Sequence, residues 1–228
     1  MNVLYEDNHI IIVNKSVGEI VQGDKTGDKP LSEIVKTYLK KKYNKPGNVF
    51  CGVAHRLDRP TSGIVVFAKT SKALSRLNDM FRRDDVSKTY WAIVKKCPAK
   101  ERDTLVHYLI KNEKNNKSAA YDVEKSKTKK AILHYTVIAA SERYFLLEIQ
   151  LETGRHHQIR CQLAKIGCPV KGDLKYGFPR SNSDGGISLH ARGISFVHPV
   201  SKKEINITAP TPDEPLWHAM EEIVIQNK

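Results

Sequence analysis

The stretch AILHYTVIAASERYFLLEIQL, residues 131–151, decides the fold. Ala131, Leu133, Tyr135 and Val137 recur at every second position, and so do Phe145, Leu147, Ile149 and Leu151, with Glu148 and Gln150 pointing the other way. A period of two marks strands that bury one face. Ser141-Glu142-Arg143 joins the two runs, so the segment reads as an antiparallel hairpin. Upstream, Asn2–Tyr5 and Ile10–Val13 flank Glu6-Asp7-Asn8-His9 as a second hairpin. Leu31, Ile34, Val35, Tyr38 and Leu39 fall at helical spacing and predict a helix over Pro30–Lys42. Gly47 breaks the chain before a short run at Val49–Val53, and Ile64–Phe67 is an apolar strand. A helix over Ser71–Arg83 follows, capped by Ser71, with Leu74, Leu77 and Phe81 on one face. Tyr90–Val94 is the next strand.

From Lys95 to Lys130 the chain is polar and lysine-rich, with only Leu105–Ile110 able to pair in a sheet. It reads as a surface excursion, a solvated face in preference to a specific RNA contact. Beyond the central hairpin, His157–Ile166 sets Ile159, Leu163 and Ile166 on one helical face, ended by Gly167 and Pro169. Two short strands, Ile187–His190 and Ile194–Phe196, lead through His198-Pro199 to Glu204–Thr208. A last helix after Asp213-Glu214-Pro215 turns Trp217, Met220 and Ile223 inward. Strands outnumber helices and are often hairpin-linked, which predicts an α+β fold with a mixed, largely antiparallel sheet flanked by helices. There is no internal repeat or low-complexity linker, so the 228 residues read as one domain with room for two lobes.

A chain of this length buries roughly 70% of its unfolded surface and needs no disulfide or metal staple. Lys and Arg number 38 against 25 Asp and Glu, a net charge of +13, which suits a nucleic-acid partner as well as plain solubility. Glu6 and Asp7 interrupt the start ahead of the short run Ile10–Val13, unlike a signal peptide, and no window approaches the roughly 18 apolar residues of a membrane span. Cys51, Cys97, Cys161 and Cys168 form no C-x-x-C pair. A zinc framework is therefore not expected, and a reducing cytoplasm is.

Several familiar sites are excluded by spacing. Gly23–Lys29 resembles a phosphate loop but lacks the terminal Gly-Lys-Ser/Thr, and neither G-x-G-x-x-G after a strand nor G-x-S-x-G occurs. His156, His157 and Cys161 suggest a metal, but adjacent histidines on a helix would point about 100° apart, so none is expected. Three other stretches could carry chemistry. In HRLDRPTSG, residues 55–63, Asp58 lies between Arg56 and Arg59; it is either an anionic nucleophile or base, or half of an ion pair pinning a loop. TGRHHQIR, residues 153–160, opens a helix and is either an anion site using Arg155 and Arg160 or a basic helix start capped by Thr153. KTYWA, residues 88–92, has aromatics suited to stacking on a base or to a core. A basic, Gly-punctuated loop follows at Lys171–Gly177.

Together these resemble one family. HRLDRPTSG is similar to the HRLDxxTSG signature of RluA-type pseudouridine synthases, and KTYWAIV (88–94) to that family's tyrosine-bearing strand. LETGRHHQIRCQLAKIGCPVKGDLKYG (151–177) resembles its long TGR(S/T)HQIR segment, and LYEDNHIIIVNK its first hairpin. The resemblance spans nearly the whole chain in the right order. It departs at His156, where Ser or Thr is usual, at Cys161-Gln162 in place of Val-His, and at Ser16 in place of proline. No small S4-type RNA-binding domain, of the kind many relatives carry, is expected ahead of the catalytic segment.

The resemblance implies a pseudouridine synthase fold with a central RNA-binding cleft, and Asp58 as the catalytic carboxylate. Tyr90 would stack on the flipped uracil, Arg155 would pair with the aspartate, and Arg56 would help displace the target base. His157, Gln158, Arg160, Lys171 and Lys175 are the expected RNA contacts. The partner would be structured ribosomal or transfer RNA, bound by a cytoplasmic monomer. Isomerisation conserves atoms and electrons, so no cofactor is expected. The competing reading is a non-catalytic RNA-binding protein that kept the fold; a third is a hydrolase that releases uracil.

Overall fold

A computed structural model of the chain describes residues 1–24 and 27–227; Lys25 and Thr26, inside the phosphate-loop lookalike, lie outside the described residues. In chain order the elements are β1 (Asn2–Glu6), β2 (Ile10–Lys15), α1 (Leu31–Lys42), β3 (Gly52–Val53), β4 (Ser62–Ala68), α2 (Ser71–Arg82), β5 (Ser87–Val94), β6 (Arg102–Asn112), β7 (Lys117–Tyr121), β8 (Lys129–Ala140), β9 (Phe145–Leu151), α3 (Gln158–Lys165), β10 (Leu189–Val197), β11 (Glu204–Thr208) and α4 (Pro215–Gln226). They fall into two compact units: Met1–Ser87 with Ala191–Pro210, and Lys88–His190 with Thr211–Lys228. No helix among the described residues is long and apolar enough to cross a membrane.

In the first unit the strand order is β1-β2-β4-β10-β11, with β3 also pairing β4. Here β2 and β4 are apolar at nearly every position because both faces are covered. Ile11, Val13, Val65 and Phe67 pack on one side with Leu31, Val35 and Leu39 of α1. Ile10, Ile12, Ile64, Val66 and Ala68 pack on the other with Ala73 and Leu77 of α2. Full burial of each such Ile, Val or Leu is worth about 1.5–3 kcal/mol. Thr70, one residue before the predicted cap, caps α2: its hydroxyl accepts from Ala73 N at 3.2 Å. Glu6 at the end of β1 accepts from Lys42 Nζ (2.7 Å), Tyr38 OH (3.0 Å), Tyr43 OH (2.7 Å) and Lys69 Nζ (2.8 Å). Those bonds tie β1 to α1 and to the exit of β4.

The second unit is an antiparallel sheet in the order β5-β9-β8-β6-β7. The hairpin that decided the fold is β8–β9, in register from Leu133 opposite Leu151 to Ala140 opposite Phe145 with one bulge. Its inward face joins Ala92, Val94, Ile159 and Leu163 in one core cluster. Trp217 and Met220 of α4 pack against Trp91, Ile93, Ala139 and Leu146 in another.

The sequence reading fails most plainly between Lys95 and Lys130. What reads as a surface excursion is an eleven-residue strand and its partner, β6 and β7. Their buried positions include His107 and Ser118 beside Leu105 and Leu109, so the alternation is hidden by polar residues facing inward. Those residues have internal partners: Gln162 Nε2 lies 3.0 Å from His107 Nδ1, and Ser118 N donates to Tyr176 OH at 2.8 Å. The two short strands expected near residues 187–196 are one strand, β10, which runs through Gly193 opposite Thr208.

Candidate active site

The candidate residues divide between the units. Arg56 and Asp58 belong to the first; Tyr90, Arg155, His157, Gln158, Arg160, Lys171 and Lys175 belong to the second.

Asp58 sits on a tight turn that enters β4: its carbonyl accepts from Thr61 N at 3.0 Å. Both flanks of that turn are fixed. Leu57 packs on the α1-side core, and the next carbonyl, of Arg59, accepts from Gly18 N at 3.0 Å and from Lys15 Nζ at 3.2 Å. His55 anchors the start of the motif, its Nε2 accepting from Val66 N at 3.0 Å and its ring 4.7 Å from that of Phe81. Gly63 ends the motif at φ +114°, where an added Cβ would come within 2.4 Å of the Ala191 carbonyl oxygen. Only glycine satisfies both the angle and that approach. Beside Asp58, Arg59 forms an ion pair with Asp28 at 2.7 Å. Asp58 is partly buried and Arg56 exposed.

On β5, Tyr90 lies opposite Ile149 and is partly buried beside the core that holds Ala92 and Val94. Trp91 points the other way into the α4 packing, with Nε1 donating to Glu148 Oε2 at 3.2 Å. Of the two aromatics open to a stacking role, Trp91 is therefore a core residue.

The Thr153–Arg160 segment is built around Gln158. Its Oε1 accepts from Thr153 Oγ1 at 2.8 Å and Arg155 N at 2.9 Å, while its Nε2 donates to Ile132 O at 3.0 Å. Thr153 thus braces the loop and does not cap α3, and Arg155 is presented on an exposed corner with Nε donating to Lys130 O at 3.0 Å. His157 is the residue before α3 and takes the left-handed conformation at φ +52°. Because His156 and His157 precede the helix, their rings are not splayed as the helical geometry predicted. They stack with centroids 3.8 Å apart.

Three of the expected RNA contacts are turned inward. Arg160 is 4% exposed and bonded to Asp173 through Nε at 2.7 Å and Nη2 at 2.9 Å. His157 bridges Arg160 Nη1 at 3.1 Å and Tyr176 OH at 3.0 Å, and Gln158 is buried as described. Side chains buried with their polar atoms bonded to protein partners hold the scaffold together. Burial, joined by smaller effects, pushes the Tyr176 hydroxyl up to about 12, so it remains a neutral donor and acceptor at the centre of this network. Lys175 is exposed, its Nζ 3.3 and 3.1 Å from the Asn115 and Asn116 carbonyls, and Lys171 is partly buried against Asn182 at 2.7 Å. The two departures in this segment also have structural partners. His156 Nδ1 lies 2.9 Å from Ser118 Oγ, and Gln162 Nε2 reaches the Leu105 and Ala131 carbonyls at 3.1 and 3.2 Å. Sequence reasoning marked Gln162 only as a departure and missed Ser118 and Asp173; of those two, only the aspartate in the G-D step before Leu174 carried a signal, as a partner for a basic helix.

The RNA pseudouridylate synthase signature matches residues 9–165. The chain belongs to that family. It is 30% identical to the ribosomal large subunit pseudouridine synthase D of Zymomonas mobilis, over 94% of this chain and 70% of that one. It is 31% identical to the tRNA pseudouridine synthase C of Vibrio vulnificus, over 92% and 90% respectively. It also resembles an uncharacterized RNA pseudouridine synthase of Synechocystis at 34% identity over 93% of this chain, spanning only 66% of that relative's length. In solved structures it is similar to human RNA pseudouridylate synthase domain containing 4, with TM-score 0.79 and 22% identity, covering 98% of this chain and 93% of that one. The shared fold is the mixed, largely antiparallel sheet flanked by helices.

Proposed function

We propose that this pseudouridine synthase family member isomerises specific uridines in structured RNA, ribosomal or transfer, with Asp58 as the catalytic carboxylate. The observation that carries the reading is the Asp58 turn: the whole HRLDRPTSG motif is present and is braced at His55, Leu57, Arg59 and Gly63. Such bracing leaves a partly buried carboxylate in a fixed place, as a reacting group requires. Relatives named for a ribosomal and for a transfer RNA activity support structured RNA as the substrate class.

In the reaction the N1–C1′ bond breaks, the uracil turns, and C5 bonds to C1′; the proton leaving C5 is balanced by one gained at N1. A stacked base must first be extruded, at a cost of a few kcal/mol. Phosphate contacts from exposed cations such as Lys175 offset that cost and make binding salt-dependent. Tyr90, half-buried on β5, would stack on the extruded uracil and take the C5 proton. Exposed Arg155 would pair with Asp58, and Arg56 would help displace the base. All four cysteines are thiols, which suits a monomer working in the reducing cytoplasm.

Asp58→Asn tests the assignment. RNA carrying [5-³H]uridine, made in cells lacking this gene, should release tritium with the wild-type protein and none with the variant, at equal RNA affinity. Turnover by the variant at the wild-type rate would end the assignment; tritium retention by the wild type would favour a non-catalytic RNA binder.

A further inference from the structure

Lys15 ends β2, and only 1% of it is exposed. An ammonium is costly to bury unless its hydrogens are met. Its Nζ donates to the Ser16 carbonyl at 2.9 Å and to the Arg59 carbonyl at 3.2 Å. The second acceptor belongs to the residue that immediately follows Asp58, inside the turn closed by Thr61 N on the Asp58 carbonyl. In the sheet, Lys15 is paired with Gly63, at the far end of the same motif. Lys15 is thus attached to the Asp58 turn at both its apex and its exit.

The charges around Lys15 are few. Burial depresses its ammonium to about 8, opposed by Glu19 and Asp58, whose carboxylates favour the charged form, and aided by Arg59, which repels it. A neutral donor would bridge the same two carbonyls without the desolvation cost. What the ammonium adds is a positive charge that Asp58 feels from within the fold.

We infer that Lys15 is a positioning residue for Asp58, its buried ammonium fixing the Asp58 turn through the Arg59 carbonyl and placing a positive charge behind the carboxylate. The inference rests on the reading of Asp58 as the reacting group. It explains why a chain with 38 Lys and Arg, nearly all able to sit in water, buries one here. The ammonium is present at neutral pH and lost above about pH 8, so the chemical step should weaken there while RNA binding does not.

The test is Lys15→Met in the full chain, read by single-turnover tritium release from [5-³H]uridine RNA between pH 6 and 10, with RNA affinity measured alongside. The chemical step should slow by about 100-fold at pH 7, the scale of a small misplacement of a reacting group. RNA affinity should stay within about two-fold, and the alkaline fall of the wild type should vanish. A rate within about two-fold of wild type, or a loss confined to RNA affinity, would overturn the inference. If the variant does not fold, ¹³C-lysine resonances of the wild type decide: one should titrate near pH 8, and its midpoint should fall in Asp58→Asn as an attracting charge is removed. An unchanged midpoint would overturn the inference equally. Full turnover by Asp58→Asn would instead discard the reading of Asp58, whereas a dead Asp58→Asn beside a fully active Lys15→Met would discard only Lys15.

Discussion

Replacing Glu6 by Gln removes one charge and almost no volume, which makes it a clean probe of the electrostatic clamp at the foot of the first unit. Burial works to raise the Glu6 carboxyl, but the bonds from Lys42, Lys69, Tyr43 and Tyr38 outweigh it and hold the group at about 2, against an ordinary 4.5. At roughly 1.4 kcal/mol for each factor of ten, that difference is worth about 3 kcal/mol. Lys42 is 44% exposed and partly screened by water, so about 2–3 kcal/mol is expected at pH 7. The sign follows from the direction. The folded carboxyl lies below the unfolded one, so its contribution is complete above pH 4.5 and is lost as pH falls towards 2. Urea unfolding of wild type and Glu6→Gln, monitored by tryptophan fluorescence and circular dichroism, should give that full difference at pH 7 and less than half of it at pH 3. A difference that stays constant between those pH values would show that Glu6 acts through packing alone, and one under about 0.5 kcal/mol at pH 7 would refute the clamp.

Two further outcomes are expected. Lys15→Met should stabilise the fold by about 1–3 kcal/mol at pH 7 in urea, since it removes a desolvated charge and fills the same space. Wild-type stability should correspondingly rise between pH 8 and 10.5, where only the unfolded chain still holds that proton; destabilisation of the variant by over about 1 kcal/mol would contradict this account. Arg160→Met leaves the Asp173 carboxylate, 1% exposed, without its guanidinium, and should cost about 3–5 kcal/mol in the same assay. A loss under about 1 kcal/mol would mean that water reaches Asp173.

The sheet was legible where each strand announces itself by its own side chains. The β8–β9 hairpin and the doubly covered β2 and β4 carry apolar residues at the spacing their burial demands. By contrast β6 and β7 were not, because His107 and Ser118 occupy inward positions whose partners, Gln162 and Tyr176, lie about 50 or more residues away in the chain. A local pattern cannot report a hydrogen bond that only the fold creates. The site divides the same way. The Asp58 motif was legible only through its resemblance to a family signature, and the inward turn of His157, Gln158 and Arg160 depends on a left-handed residue before α3 and on Asp173, neither visible as such in a basic segment.

The division of the chain into interleaved halves has a consequence for its birth on the ribosome. The central β4, buried at all seven positions, needs β10 beside it, and β10 enters the first unit only at Ala191. The whole stretch Lys88–His190 must be synthesised first, which at roughly 5–20 residues per second is a wait of roughly 5–20 s. Through that interval one flank of an apolar strand stands open, and nascent chains arrested before residue 191 should be the ones that chaperones hold and proteases cut.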